Sequence, residues 1–255
     1  MKTVTRKKHS FLTALILVAM ICFTAGAYSE EASAYKDEIT KLKQAAEKDD
    51  ARAKGILSLL FQCKMSNEID ADTAKAFAES SSKNNSPFGD LALAVLLMPS
   101  QEYREQEGKA AASAQKLKPL ADGPNRYDLG KGGDLWAQFI LGLCYAELCS
   151  SMTDEGWKAI EYYKTAAKQG FAPAQFSLGK HFYNGRADGE GRDYKEAAKF
   201  FRLSAEQGFA PAQNALGNFY SNGIGVEKNI NEGFKWHQKS AEQGNEKGQY
   251  SLGKR

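Results

Sequence analysis

Three stretches of this 255-residue chain align with one another without a gap. They are Ala167-Lys-Gln-Gly-Phe-Ala-Pro-Ala-Gln-Phe-Ser-Leu-Gly179, Ala205-Glu-Gln-Gly-Phe-Ala-Pro-Ala-Gln-Asn-Ala-Leu-Gly217 and Ala241-Glu-Gln-Gly-Asn-Glu-Lys-Gly-Gln-Tyr-Ser-Leu-Gly253. Their first glycines, Gly170, Gly208 and Gly244, recur after 38 and 36 residues, and nine residues separate each from Gly179, Gly217 and Gly253. A period of this size marks a stacked array. One unit cannot bury its apolar face alone, so the core forms only where neighbours pack. The segments from Gly142 to Gly170, from Gly179 to Gly208 and from Gly217 to Gly244 differ in length. Length therefore varies in one place per unit, and a surface loop belongs there.

Each unit reads as two helices. Residues 159–167, 197–205 and 233–241 carry apolar side chains at helical spacing and form helix B. Gly170, Gly208 and Gly244 end it as left-handed caps. Helix A follows, with Pro173 and Pro211 near its first turn, where a missing N–H costs little. In helix A a small residue (Ala174, Ala212, Gly248), a leucine (Leu178, Leu216, Leu252) and a glycine (Gly179, Gly217, Gly253) share one face. An interior glycine costs about 1 kcal/mol against alanine, so its recurrence predicts close approach of helix B.

The pattern extends towards the N-terminus. Trp136 to Gly142 is a further helix A, and 77–85 is a helix B in which Asn85 replaces the capping glycine. Residues 35–49 resemble a helix B, and Ala53 to Ser58 a helix A. The caps then fall at 49, 85, 133, 170, 208 and 244, with spacings of 36, 48, 37, 38 and 36. The spacing of 48 marks an insertion, visible at 122–133. The expectation is an all-α array of about twelve helices, six stacked pairs without strands. Residues 28–133 hold degenerate units and 134–255 well-formed ones.

The segment 1–27 reads as an address. Lys2, Arg6, Lys7 and Lys8 precede an apolar run of about 17 residues, and Ala25-Gly26-Ala27 supplies the small residues of a cleavage site. The expectation is a signal peptide over 1–27, cleavage near Ala27 and a periplasmic or secreted product. An uncleaved anchor is the alternative, and the run is marginal for spanning a bilayer. Four of the 34 basic residues lie in this acid-free segment, so beyond it 30 basic residues face 31 acidic ones. Such a balance offers no global field for nucleic acid or an anionic membrane. With only His9, His181 and His237, a multi-histidine metal site is not expected, and no cofactor is.

Residues 205–244 give the pattern in full: Leu216-Gly217, Tyr220, Asn222-Gly223-Ile-Gly-Val226, Trp236 and Ala241-Glu-Gln-Gly244. This resembles the Sel-1-like repeat, a relative of the tetratricopeptide repeat. The match is close over 134–255, weaker over 86–98 and faint over 35–85. Arg186-Ala-Asp-Gly-Glu-Gly191 departs from the usual Gly-x-Gly-Val, and Ala94 stands where the Leu-Gly glycine would. The resemblance implies a right-handed α-solenoid that acts as an adaptor for peptides or partner proteins. Its alternative is a cysteine-rich, penicillin-binding or β-lactamase-like envelope protein. Ser-x-x-Lys pairs occur at Ser33/Lys36, Ser80/Lys83, Ser113/Lys116, Ser177/Lys180 and Ser251/Lys254, but no Lys-Thr-Gly completes the set. The chain reads as a non-enzyme.

The cysteine-rich relatives carry a bridged pair in each repeat, a pattern not present here. Beyond the signal lie Cys63, Cys144 and Cys149. Cys63 and Cys144 fall in non-adjacent units, too distant for a bridge. A local Cys144–Cys149 disulfide and three unreactive thiols both remain open.

In a stacked array one helix of each pair lines the concave face, and in the parent repeat class that is helix A. Its variable positions are Gln138, Phe139, Phe176, Lys180, Asn214 and Asn218. Polar groups with intermittent aromatics suit an extended peptide or a partner helix. His181 and His237 read as surface or groove residues, and Trp136, Trp157 and Trp236 as packing. The final helix A, with Tyr250 and Leu252, has no following helix B to cover it, which points to self-association through that edge.

Overall fold

The computed structural model describes residues 35–63, 65–66, 69–97, 103–122, 133–148, 156–185 and 191–253. The segment 1–27, expected to be a signal peptide, and most of the expected insertion at 122–133 lie outside them. Twelve α-helices and no strand occur among the described residues. They are α1 (35–47), α2 (Ala51–Gln62), α3 (Ala71–Lys83), α4 (Pro87–Leu97), α5 (Tyr103–Asp122) and α6 (Leu135–Leu143). A π-helical turn, Cys144–Leu148, continues α6. Then come α7 (Gly156–Lys168), α8 (Ala172–Asn184), α9 (Tyr194–Glu206), α10 (Ala210–Asn222), α11 (Ile230–Glu242) and α12 (Glu246–Gly253). Odd-numbered helices are B and even-numbered ones A, as the repeat predicts.

The helix B to helix A turns are made alike. Asp49, Asn85, Gly133, Gly170, Gly208 and Gly244 all have positive φ, at 67°, 56°, 33°, 84°, 84° and 75°. These are the six capping positions of the sequence pattern. Where the loop precedes a helix, an acidic or amide side chain accepts from its first-turn N–H groups. Asp50, Asp70, Asp134, Asp193 and Asn229 do so for α2, α3, α6, α9 and α11.

Close approach of neighbouring helices explains the Leu-Gly glycines. A Cβ on Gly142 would meet the Tyr163 ring at 2.4 Å, one on Gly179 the Phe201 ring at 2.6 Å, and one on Gly217 the His237 ring at 2.7 Å. Each glycine opens a slot for a ring from the next helix B. His237 fills that slot in the last pair and is 4% exposed. This corrects its reading as a surface or groove residue: it takes the place of Tyr163 and Phe201. Trp157 is corrected in the other direction, being 61% exposed rather than packed.

A ladder of glutamines ties the units together. Gln138 in α6, Gln175 in α8 and Gln213 in α10 donate to the backbone carbonyls of Ala121, Ala167 and Ala205, near the end of the preceding helix B. The Ala167 and Ala205 carbonyls also accept from the backbone N–H of Gly170 and Gly208, so the glutamine adds a second bond at the helix end. The side-chain carbonyls of the same glutamines accept from Gln169, Gln207 and Gln243, the glutamines of the Gln-Gly turns. One buried amide thus joins three successive helices. Serines add a second stitch: Ser204 donates to the Ala172 carbonyl and Ser240 to that of Ala210.

In α4 the ladder position holds Asp90, which is 3% exposed. A carboxylate only accepts, so its surroundings must donate. Ser82 and Ser113 each donate to it at 2.6 Å, and Lys109 pairs with it at 2.9 Å. Burial alone would raise its pKa. The hydrogen bonds from Ser113, Ser82 and Lys109 together outweigh that and hold it below the ordinary carboxylate value. Ser113, one of the Ser-x-x-Lys serines, therefore has its hydroxyl committed to a structural network. Between the N-terminal units, Arg52 pairs with Asp134 and stacks over Phe88.

The buried apolar residues from Tyr35 to Phe219 form one continuous core. It passes through both the degenerate and the well-formed units. No helix among the described residues is long and apolar enough to cross a membrane.

Candidate binding cleft

Residues four apart on a helix share a face. Phe176 and Lys180 therefore project side by side from α8, and Asn214 and Asn218 from α10. All four line one cleft of about 680 Å³. Phe176 is held by Phe201 and Phe209, with ring centroids 5.6 and 5.3 Å away. Asn214 is 7% exposed and accepts from the Ser251 hydroxyl at 3.2 Å, which ties α10 to α12. Lys180 and Asn218 are exposed. Glu246 and Lys247 of α12 stand at one end, and Tyr183, Phe219 and Ile224 enlarge the apolar part.

Gln138 and Phe139 do not belong to this surface. They are 1% and 0% exposed. Gln138 is a ladder glutamine, and Phe139 packs against Trp136, Tyr163 and Phe171 in the core. This corrects the expectation that both vary because they face a partner. Gln138 instead satisfies backbone polar groups, and Phe139 fills a core position. Cys149 lies outside the described residues, so the Cys144–Cys149 pairing does too; Cys144 itself is buried. Among the described residues no group of three or more His, Cys, Asp or Glu could hold a metal ion.

The other wall of the cleft comes from the far end of the chain. Phe61, Gln62, Cys63 and Met65, at the end of α2 and in the turn after it, face α8 and α10. Tyr35, the first residue of α1, meets Phe209 edge to face at a centroid distance of 5.0 Å. The array therefore curves until its first helix pair reaches its last units. A second cavity of about 900 Å³ is lined by Tyr35 and its neighbours in α1 and by residues of α9, α10 and α11. Trp236 lines it, with the Lys239 ammonium 4.3 Å from the ring centroid. Met65, Pro211 and Asn245 border both cavities. Sequence reasoning missed this wall. Local periodicity carries no signal of where a superhelix closes, although an apolar Phe61 and Met65 at the end of a short helix were visible.

The Sel1 repeat family model matches residues 158–171, 172–209 and 210–245. A Sel1 repeat protein from Oxalobacter formigenes is 32% identical, over 55% of this chain and 97% of its own, with a TM-score of 0.47. A protective antigen present in uropathogenic Escherichia coli strains, which displays an SLR fold, is 28% identical over 84% of this chain, with a TM-score of 0.48. This chain spans 43% of that antigen's length. No curated protein matches the chain. The three matches end one residue after Gly170, Gly208 and Gly244, the glycines of the Gln-Gly turns. The chain belongs to the Sel1 repeat family.

Proposed function

We propose that this chain is an exported, non-catalytic scaffold that receives a protein or peptide partner in the cleft between α8, α10 and the end of α2 with Cys63 and Met65. Sel1 repeat proteins generally serve as protein-interaction scaffolds. The observation that carries the reading is the convergence of Phe176, Lys180, Asn214 and Asn218 on one cavity of about 680 Å³. Apolar rings supply burial there, and amides can pair with the backbone of an extended segment. The near-neutral charge of the chain beyond Ala27 favours a protein partner over nucleic acid. Export rests on the basic, apolar and small-residue order of the segment 1–27. The exposed Tyr250 on α12 supports self-association through that end as a further contact.

Affinity capture from the native envelope with crosslinking tests the binding reading. An Asn218→Trp variant fills the cleft mouth from an exposed position. A species held by the wild type should disappear with Asn218→Trp and persist with Lys199→Glu, a change at an exposed position that lines neither cavity. Equal capture by all three proteins would contradict the reading.

A further inference from the structure

The contact between the first helix pair and the last units differs from the contacts between neighbouring helices. Neighbours approach until glycine is required: a Cβ on Gly55 would lie 2.7 Å from the backbone of Gly89, and one on Gly248 2.7 Å from Ser240 Oγ. The seam between the chain ends is built from side chains instead. Tyr35 touches Phe209, and Met65 lies against the cavities that Pro211 also borders. Cavities of about 900 and 680 Å³ flank that seam. A contact flanked on both sides by open clefts has fewer packed neighbours than a helix pair in the array.

The two seam residues are nevertheless shielded, with Tyr35 9% and Met65 8% exposed. Met65 is placed by its own backbone, its N–H donating to the Leu60 carbonyl at 2.8 Å in the turn that ends α2. It stands where the two cavities meet. Pro211 and Asn245 border both cavities as well.

We propose that the first helix pair is a latch. Seating of Tyr35 and Met65 closes the concave groove, and a partner enters by displacing them. This rests on the reading of the cleft as the partner's site. In the latched form α1, the end of α2 and Met65 take up surface that the open groove would offer. The partner and the first helix pair then compete for Phe176, Pro211 and their neighbours.

Lysine crosslinking of the full chain reads the latch directly. Lys36 of α1 and Lys239 of α11 both line the cavity of about 900 Å³, though far apart in sequence. Dilute wild-type protein, treated with a short amine-reactive crosslinker, should yield the Lys36–Lys239 link within a monomer. The Tyr35→Ala/Met65→Ala double variant should lose that link severalfold while its helical circular dichroism is unchanged. It should also bind the dye 1-anilinonaphthalene-8-sulfonate severalfold more brightly. The Tyr35→Phe/Met65→Leu variant, which keeps both side-chain bodies, should behave as wild type. Absence of the link from the wild type, equal yield in all three proteins, or loss of the link without a gain in dye binding would overturn the latch. If the link and the dye respond as stated but the captured species does not depend on Asn218, the partner reading fails and the latch stands.

Discussion

Gln207 donates its side-chain amide to the side-chain carbonyl of Gln175 at 2.7 Å, and Gln175 donates in turn to the backbone carbonyl of Ala167. The same relation joins Gln243 to Gln213, and Gln213 to Ala205. Hydrogen bonds in a low-dielectric interior are worth most when every member is satisfied. Each rung lies between units, so it sets how one helix pair is rotated on the next. The curve that brings Tyr35 to Phe209 accumulates from such rotations.

Replacing Gln213 by leucine should therefore destabilise the protein. It removes the bonds to the Ala205 carbonyl and from the Gln243 amide, which keep the Gly208 N–H and the Lys239 carbonyl as partners, at a cost of about 0.5–1.5 kcal/mol for each bond lost. Gln249 occupies the same position in α12 but is exposed. Gln249→Leu should change stability by about 0.5 kcal/mol at most, as surface substitutions do. Urea denaturation of the two variants gives the comparison.

Gly217→Ala should also destabilise. The new Cβ would lie 2.7 Å from the His237 ring and 3.0 Å from the Gly233 carbonyl oxygen. Overpacking of this kind costs about 1–3 kcal/mol. It opposes a gain of about 1 kcal/mol from helix propensity. A Cβ at Gly253 meets nothing within 4 Å, so Gly253→Ala should be neutral or slightly stabilising. Thermal melts of both variants separate packing from propensity.

Asp90 makes stability depend on pH. Its folded pKa is depressed, so its contribution is complete above the ordinary carboxylate value of about 3.9 and is lost as pH falls through the lower folded value. Asp90→Asn should weaken the fold at pH 7, and the gap to wild type should narrow as pH drops below about 4. Denaturant midpoints measured across pH 2–7 check both statements. A gap that is constant with pH would assign the cost to packing alone.

Much of this is legible in the sequence. Spacing alone places all six caps, because a residue with positive φ is glycine, asparagine or aspartate far more often than not. The slots at Gly142, Gly179 and Gly217 follow from the cost of an interior glycine. The ladder does not, because a glutamine satisfying backbone carbonyls looks, residue by residue, like a glutamine facing solvent. Gln138 is misread for that reason, and Phe139 because its aromatic character fits a groove as well as a core. His237 is misread because its ring replaces an aromatic one in an otherwise regular slot. Closure of the array lies beyond local pattern altogether, since Tyr35 and Phe209 belong to helix pairs at opposite ends of the chain.

The last helix should be the least protected. α12 is eight residues long, Gly248 is its one buried residue, and Tyr250 is 63% exposed. Hydrogen exchange in a dilute monomer should be faster over 246–253 than over 210–221. Equal protection would show that this edge is covered.

Export predicts a mature N-terminus at Tyr28. N-terminal sequencing of the protein recovered outside the cytoplasm should read Tyr-Ser-Glu-Glu. A membrane-bound product that retains Met1 would show an anchor in place of a signal.

Photo-crosslinking tests the scaffold reading most directly. A photoreactive residue is placed at Asn218, inside the cleft, or at Lys199, which is exposed and lines neither cavity. Irradiation in living cells should give a discrete adduct from position 218, abolished by Phe176→Asp, and none from position 199. No adduct at 218, or the same adduct from both positions, would contradict a partner site in the cleft.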